Sequence, residues 1–447
     1  MQGSAAAAWR HRARRLPPLA STLALTIAAA ACAESGAAAG SAVARDSAGV
    51  AIVESSGPTW GPEQAIVLAD TPAVLIGAED EQPEYQFGRV AAALRLADGG
   101  IAVFDGMAHE LRWYDAQGKF VRKAGGEGGG PGEYRFVSWM RKLPGDSLML
   151  HDIMAQRITV VAPDGTVGRT VNLAAAAPPP PAAEAGGAGG HGRIVMSGLG
   201  RWRIVAPFAD GTMLARASGA PPMENSGSVA RDSVVYVRLA PDGSVRDTLG
   251  TFVGDETVVT TGGSGDNMSV MVGPPPFGRT TQVAVDRDGF WVGTQDRYEL
   301  RRYDAGGRLQ RIVRRPVEPL ALTEEDVAER KRLDVEGQVT IGGREDPNLK
   351  RMVAQRWENA KIPAAMPAHG SLIADATGHL WVRETTRPAD QVPKWTVFHP
   401  DGHMLGTIAM PEDFRPLDVG ADYVLGVQKD ESDVEQVALY PLRPAGR

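Results

Sequence analysis

The sequence predicts an all-β fold assembled from one antiparallel unit repeated in order, and two patterns carry that expectation. A short apolar strand recurs six times, at Ile101-Ala102-Val103-Phe104, Leu148-Met149-Leu150, Met213-Leu214-Ala215, Phe290-Trp291-Val292, Leu380-Trp381-Val382 and Tyr423-Val424-Leu425. Five of the six are followed by a hairpin with a tight turn: Asp115-Ala116-Gln117-Gly118, Pro163-Asp164-Gly165, Pro241-Asp242-Gly243, Asp304-Ala305-Gly306-Gly307 and Pro400-Asp401-Gly402. Glycine supplies the positive φ such turns need, and aspartate hydrogen-bonds the backbone just beyond itself. With 53 glycines and 32 prolines in 447 residues, the composition fits a chain this rich in turns. Repeats decide the architecture. These predict a six-bladed β-propeller of four-stranded antiparallel blades.

The N-terminus stands apart from the repeats. Arg10, Arg12, Arg14 and Arg15 form a basic start, and Leu19 to Ala31 is an apolar stretch short for a membrane span. Residues 1–31 therefore read as a signal peptide outside the fold. Ala29-Ala30-Ala31 directly precedes Cys32, the chain's one cysteine. This resembles the lipobox of bacterial lipoproteins. The resemblance implies lipidation at Cys32 and, with Ala33 next, anchoring to the outer membrane on its periplasmic or surface face. The alternative is an ordinary cleaved secretory signal with an incidental cysteine. With a single cysteine no disulfide forms within the chain, so an exported domain of this size is held by its core. Residues 32–48, rich in Ala, Gly and Ser, read as a flexible tether. The propeller is expected over 49–447, beginning at Val50-Ala51-Ile52-Val53.

Within the repeats, the strands before the five turns are Leu111–Tyr114, Ile158–Val161, Val234–Val237, Leu300–Tyr303 and Trp395–Phe398. The sixth unit runs Tyr423–Gly426 and Val434–Tyr440 and then the sequence stops, one strand short. Either Val50–Val53 or Ile66–Leu68 is expected to supply that strand and close the ring, because an open ring leaves a bare sheet edge. All five turns are short. The long segments Lys123–Tyr134, Leu173–Arg201, Ser218–Ser233, Gly254–Arg279, Arg315–Gly370 and Glu384–Lys394 are blade links or second-to-third-strand loops, and so share the opposite face. Function concentrates on loops that a rigid scaffold presents. Residues 174–192 are a low-complexity loop containing Pro178 to Pro181. A helical insertion at about 316–368, between blades 4 and 5, has helices from about Glu324 to Val335 and from Pro347 to Asn359, the first opened by Thr323 with acids in its first turn.

Three stretches extend the resemblance. Gly125-Gly126-Glu127-Gly128-Gly129-Gly130-Pro131-Gly132-Glu133-Tyr134 looks like the G-x-G-P-G-E-aromatic loop of six-bladed NHL-like propellers found as bacterial lipoproteins. Gly378-His379-Leu380-Trp381-Val382 and Val424-Leu425-Gly426-Val427 are similar to the same family, over roughly residues 49 to 442. The resemblance implies a fold subclass and not an activity.

The chemistry is sparse. Net charge is −7, and removing the four arginines of the signal segment leaves −11, with no basic stripe, which excludes a nucleic-acid partner. Gly125–Gly132 lacks the Gly-Lys-Ser/Thr ending of a phosphate loop and reads as a blade link. The eight histidines spell no metal motif: His399 and His403 flank a hairpin turn and so do not share a helical face. The Asp286-Arg287-Asp288-Gly289 stretch has Arg297 at the twelfth position, which ends a calcium-loop reading. Trp113, Trp291, Trp381 and Trp395 occupy periodic strand positions and are expected in blade packing.

One constellation remains: Asp105, Asp152, Asp296, Glu384 and Asp430 beyond the second strands, with His109, His151, Arg157, Arg297 and Arg383 nearby, and Glu127 and Arg135 on the Gly-rich link. If the ring closes, these strand ends converge on the elaborated face. They then either line a ligand face, hold a divalent cation with acid–base chemistry, or cap turns and solvate loops. The expected function is a membrane-anchored binding module for a protein, peptide or glycan. The alternative is a lyase or hydrolase with a cation in the central channel.

Overall fold

A computed structural model describes residues 42–77, 82–173, 202–217, 228–262, 269–337, 340–341, 344–345, 347–390 and 392–445. The signal segment 1–31, Cys32, the tether up to residue 41 and the loop 174–192 lie outside the described residues. The described chain is nearly all β, a propeller-type series of antiparallel sheets with two helices.

Sheet I contains Val90–Arg95, Ile101–Asp105, Glu110–Tyr114 and Phe120–Gly125. Sheet II contains Val137–Lys142, Leu148–Asp152, Arg157–Val161 and Val167–Asn172. Sheet III contains Trp202–Pro207, Met213–Ala217, Ser233–Leu239 and Val245–Val253. Sheet IV contains Gln282–Val285, Gly289–Gly293, Glu299–Asp304 and Leu309–Arg314, and sheet V contains Leu372–Ala374, Leu380–Arg383, Lys394–Phe398 and Met404–Ala409. Sheet VI is built from Arg415–Val419, Tyr423–Lys429 and Glu435–Pro444.

The six apolar repeats are the second strands of these sheets. They read as continuous apolar runs because both faces are covered, and alternate side chains serve the two neighbouring sheets. Ala102 and Phe104 join the cluster shared with sheet II, while Ile101 and Val103 join the one shared with sheet VI. Met149 meets sheet III, Leu214 meets sheet IV, Trp291 meets sheet V and Trp381 meets sheet VI. Trp113 and Trp395 are buried in the same clusters, as packing groups. Each fully buried side chain of this size contributes roughly 2 kcal/mol. The fourth strands, such as Phe120–Gly125, alternate between half-buried and exposed because one face meets solvent.

The turns hold as their chemistry requires. Gly165 and Gly402 take φ of 90° and 99°, and their N–H groups return to the carbonyls of Ala162 and His399 at 2.9 and 2.8 Å. The Gly-rich link 126–136 is folded by Tyr134 N–H on the Gly126 carbonyl at 2.8 Å and by Arg157, whose guanidinium donates to the carbonyls of Gly129 and Glu133.

Sheet VI takes its outer strands from the N-terminal side. Ile66–Leu68 pairs antiparallel with Glu435–Pro444, in the register Ile66↔Pro444, and Val74–Ile76 pairs further along the same strand, in the register Val74↔Leu439. The other expected segment, Val50–Ser55, lies elsewhere: it runs parallel to Leu309–Arg314 at the outer edge of sheet IV. Ala42–Ser47, expected as the end of the tether, instead forms a strand on Val50–Ser55. Its six residues are all exposed, so only the hairpin register holds it there.

Two insertions sit beside the sheets. Val229–Ala230, Thr257–Gly262 and Ser269–Gly273 make a small three-stranded sheet that the repeat pattern does not foretell. Helix α1, Glu324–Gly337, starts with reciprocal bonds between Thr323 and Asp326. Helix α2 is Pro347–Glu358, and its Trp357 Nε1 donates to Asp334 Oδ2 of α1 at 3.2 Å.

Candidate functional site

A pocket of about 400 Å³ opens among the first strands of sheets II, III and IV, at the end of those sheets where the long segments emerge. Its geometry starts from register in sheet III. Arg203 on the first strand lies directly opposite Arg216 on the second, and Arg216 lies directly opposite Tyr236 on the third. All three line the pocket. Like charges facing each other across a ladder repel. One carboxylate answers them: Asp255 Oδ2 accepts from Arg216 Nη2 at 3.1 Å, and Asp255 Oδ1 accepts the Thr281 N–H at 2.8 Å. Arg203 is exposed into the pocket, which carries one positive charge more than its lining carboxylate balances. Tyr236 is completely buried, and its hydroxyl has no hydrogen-bond partner of good geometry. Burial raises its pKa, against the opposing Arg216 charge.

The opposite wall comes from sheet II. Ser138 Oγ and His151 Nδ1 are 2.8 Å apart, and the Trp139 ring lies 5.4 Å from the imidazole. Burial pushes the His151 pKa down to about 4, with the Asp152 charge opposing, so the ring is neutral near pH 7. A base this weak is poorly matched to activating a serine. The contact therefore reads as Ser138 satisfying a buried imidazole.

Of the residues expected from sequence, His151 is the one that lines this pocket. Asp105 and Asp152 are almost wholly buried and turn back onto the backbone. Asp105 accepts the N–H groups of Gly88, Arg89, Met107 and Ala108, and Asp152 accepts those of Arg135, Phe136 and Ala155. Arg157 staples the Gly-rich link. Glu127 is exposed on that link and bridges Tyr134, and Arg135 is exposed beside it. His109 sits half-buried at φ 58°, with its Nδ1 unpartnered. Asp296 pairs with Arg231 at 2.8 Å and Arg279 at 2.9 Å, and Arg297 beside it is exposed. Glu384 accepts from Tyr298 Oη at 2.9 Å and Arg315 Nη1 at 2.8 Å, while Arg383 is exposed. Asp430 caps its own turn.

These contacts match one of the three readings of the strand-end acids, that they cap turns and pair locally. The strand-end acids do not gather into a cation site: among the described residues, the one metal-spaced group of three His, Cys, Asp or Glu is His399, Asp401 and His403. The acids fail to meet because each is consumed locally by backbone donors or arginines. In that group His399 and His403 flank a hairpin turn, as their sequence indicates. A tight hairpin brings residues four apart together as effectively as a helical turn does, here with stacked rings 4.7 Å apart.

Sequence reasoning missed Arg203, Arg216, Tyr236 and Asp255. The available signal was a charge inside otherwise apolar inner strands.

No family model and no curated protein matches the sequence. Solved structures do resemble it. A member of the DUF4221 family from Bacteroides vulgatus aligns with a TM-score of 0.45 at 9% identity, over 86% of this chain and 99% of its own. A candidate exported protein from Bacteroides fragilis gives 0.44 at 10%, over 88% and 98%. Virginiamycin B lyase from Staphylococcus aureus gives 0.35 at 10%, over 80% and 97%. At these identities and scores no activity, ligand or location passes from those proteins to this chain.

Proposed function

We propose that this chain is an exported, lipid-anchored binding module whose pocket takes the carboxylate of a peptide or acidic glycan. The observation that carries the reading is Arg203 facing Arg216 across sheet III, inside a pocket, with one carboxylate between two cations. A bound carboxylate relieves that repulsion through bidentate, charge-assisted bonds. The alternative enzyme reading, with a cation in the channel, has no gathered ligand set at the strand ends among the described residues.

Titration calorimetry of the full chain against short acidic peptides in one arm and uronic-acid oligosaccharides in the other tests this and separates the two sources. The expected result is binding in one arm, weakened at least tenfold by Arg203→Ala, which is about 1.4 kcal/mol. Equal affinity of the variant, or no binding in either arm, rejects the proposal.

The scaffold for this site is, in our reading, a closed six-bladed ring of the NHL-like lipoprotein type. Six clusters support it, each shared by consecutive sheets, with the last shared between sheets VI and I. Anchoring through Cys32 rests on the signal segment before it, and no described helix is long and apolar enough to cross a membrane. The wild-type chain should fractionate with membranes and the Cys32→Ala chain should not. Retention of the variant in the membrane fraction argues against the anchor.

A further inference from the structure

At the end of sheet V away from its long loops, two turns bring histidines together. The turn between Lys394–Phe398 and Met404–Ala409 carries His399, Asp401 and His403. His399 N–H bonds the His403 carbonyl at 3.0 Å, so the hairpin itself sets the spacing of the two imidazoles. Both Nδ1 atoms address one carboxylate oxygen, Asp401 Oδ1, at 3.0 Å from His399 and closer from His403. One ligand atom from each residue falls within 4.8 Å of the others. Tetrahedral ligands on an ion bound at 2.0–2.1 Å are roughly 3.3 Å apart, so the three donors need only small side-chain rotations to enclose one.

A second observation lies on the adjacent turn. His379 has its ring 5.8 Å from that of His399, and its Nδ1 is held by Thr377 Oγ1 at 2.6 Å and Asp375 Oδ2 at 3.2 Å. Asp375 is itself fixed by Trp381 Nε1 at 2.9 Å. A carboxylate that orients an imidazole through Nδ1 leaves Nε2 as the outward donor, the arrangement that supports metal-ligating histidines. Asp401 is exposed and both hairpin histidines are half-buried, so an ion reaches the turn directly from solvent.

We propose that His399, Asp401 and His403 form a divalent transition-metal site of the zinc class, with His379 on the adjacent turn lying outside the three-ligand group and next to it. Two imidazoles with one carboxylate select borderline ions over Ca²⁺ and Mg²⁺, which prefer all-oxygen shells. The site sits at the opposite sheet end from the Arg203 pocket and does not depend on what that pocket binds. An ion here ties the first-to-second and third-to-fourth strand turns of one sheet.

The test is Zn²⁺ titration of the purified full chain, with Ca²⁺ present in excess, against the double variant His399→Ala/His403→Ala. Cys32 is retained in both, so any thiol contribution cancels. The expected result is one Zn²⁺ per wild-type chain and at least fivefold weaker binding by the variant. Zn²⁺ should also raise the thermal midpoint of the wild type and leave that of the variant unmoved, a readout that shows the variant is folded. A wild-type chain that takes up no Zn²⁺, or a loss below fivefold, overturns the site.

Discussion

A chain that begins at residue 82 should lose its single cooperative unfolding transition. The segment removed includes Ile66–Leu68 and Val74–Ile76, which hydrogen-bond along the C-terminal strand Glu435–Pro444. Leu68 belongs to the cluster between sheets V and VI, and Ile76 to the cluster between sheets VI and I. The same segment contributes Thr59 and Trp60, whose N–H groups donate to the carbonyls of Met404 and Leu405 at 3.0 and 2.9 Å. Burial of Leu68 and Ile76 is worth roughly 2 kcal/mol each, already a large part of a stability of about 5–15 kcal/mol. The bare ten-residue edge left on sheet VI then templates aggregation. Thermal unfolding followed by circular dichroism should show a broad, non-cooperative loss of signal. Starting the chain at residue 48 in place of residue 42 should be nearly neutral by comparison, because Ala42–Ser47 is exposed throughout. A truncation from residue 82 that still melts cooperatively within a few degrees of the full chain would mean that the two termini do not secure one another.

How far the sequence carries can be seen at particular positions. Apolar runs such as Ile101–Phe104 and turns such as Pro400-Asp401-Gly402 are local, and local signals predict strands and hairpins well. The pocket depends on something non-local. Counting back from the turn at Asp210, Pro207 pairs with Met213 and Ala206 with Leu214, but Ile204 then pairs with Ala215. A bulge at Val205 shifts the register and re-aims the strand, which brings Arg203 opposite Arg216. Without the bulge, Arg203 would stand opposite Ala217. First strands of sheets I, II and VI carry comparable register shifts. No residue type announces such a bulge, so a site built on one stays hidden until the backbone is seen. The charged strand ends are the opposite case. They are conspicuous in sequence, yet backbone donors hold Asp105, Asp152 and Asp430, and neighbouring side chains hold Asp296 and Glu384.

Asp105 shows how large that demand is. Its Oδ1 accepts the N–H groups of Met107 at 2.9 Å, Ala108 at 3.2 Å and Arg89 at 3.3 Å, and its Oδ2 accepts that of Gly88 at 3.1 Å. Arg112 Nη2 lies 3.5 Å from Oδ2, with both side chains almost fully buried. In the Asp105→Ala chain four donors lose their acceptor, and a buried guanidinium keeps only Glu110 as its counter-charge, at 3.1 Å. A buried unpaired donor costs about 1–3 kcal/mol and breaking a buried ion pair about 3–5 kcal/mol, without simple addition. Urea unfolding of Asp105→Ala should therefore show a loss of about 4 kcal/mol. Asp105→Asn should fall between, because its carbonyl oxygen still serves the Met107 and Ala108 donors while its amide confronts the Gly88 N–H. Binding at the Arg203 pocket should be unchanged in whatever fraction remains folded, since Asp105 is not among the residues that line it. The opposite outcome, full stability with binding abolished, would return Asp105 to the ligand face. The two sets of measurements separate the roles because a cap acts through the folded population and a ligand contact acts at constant population.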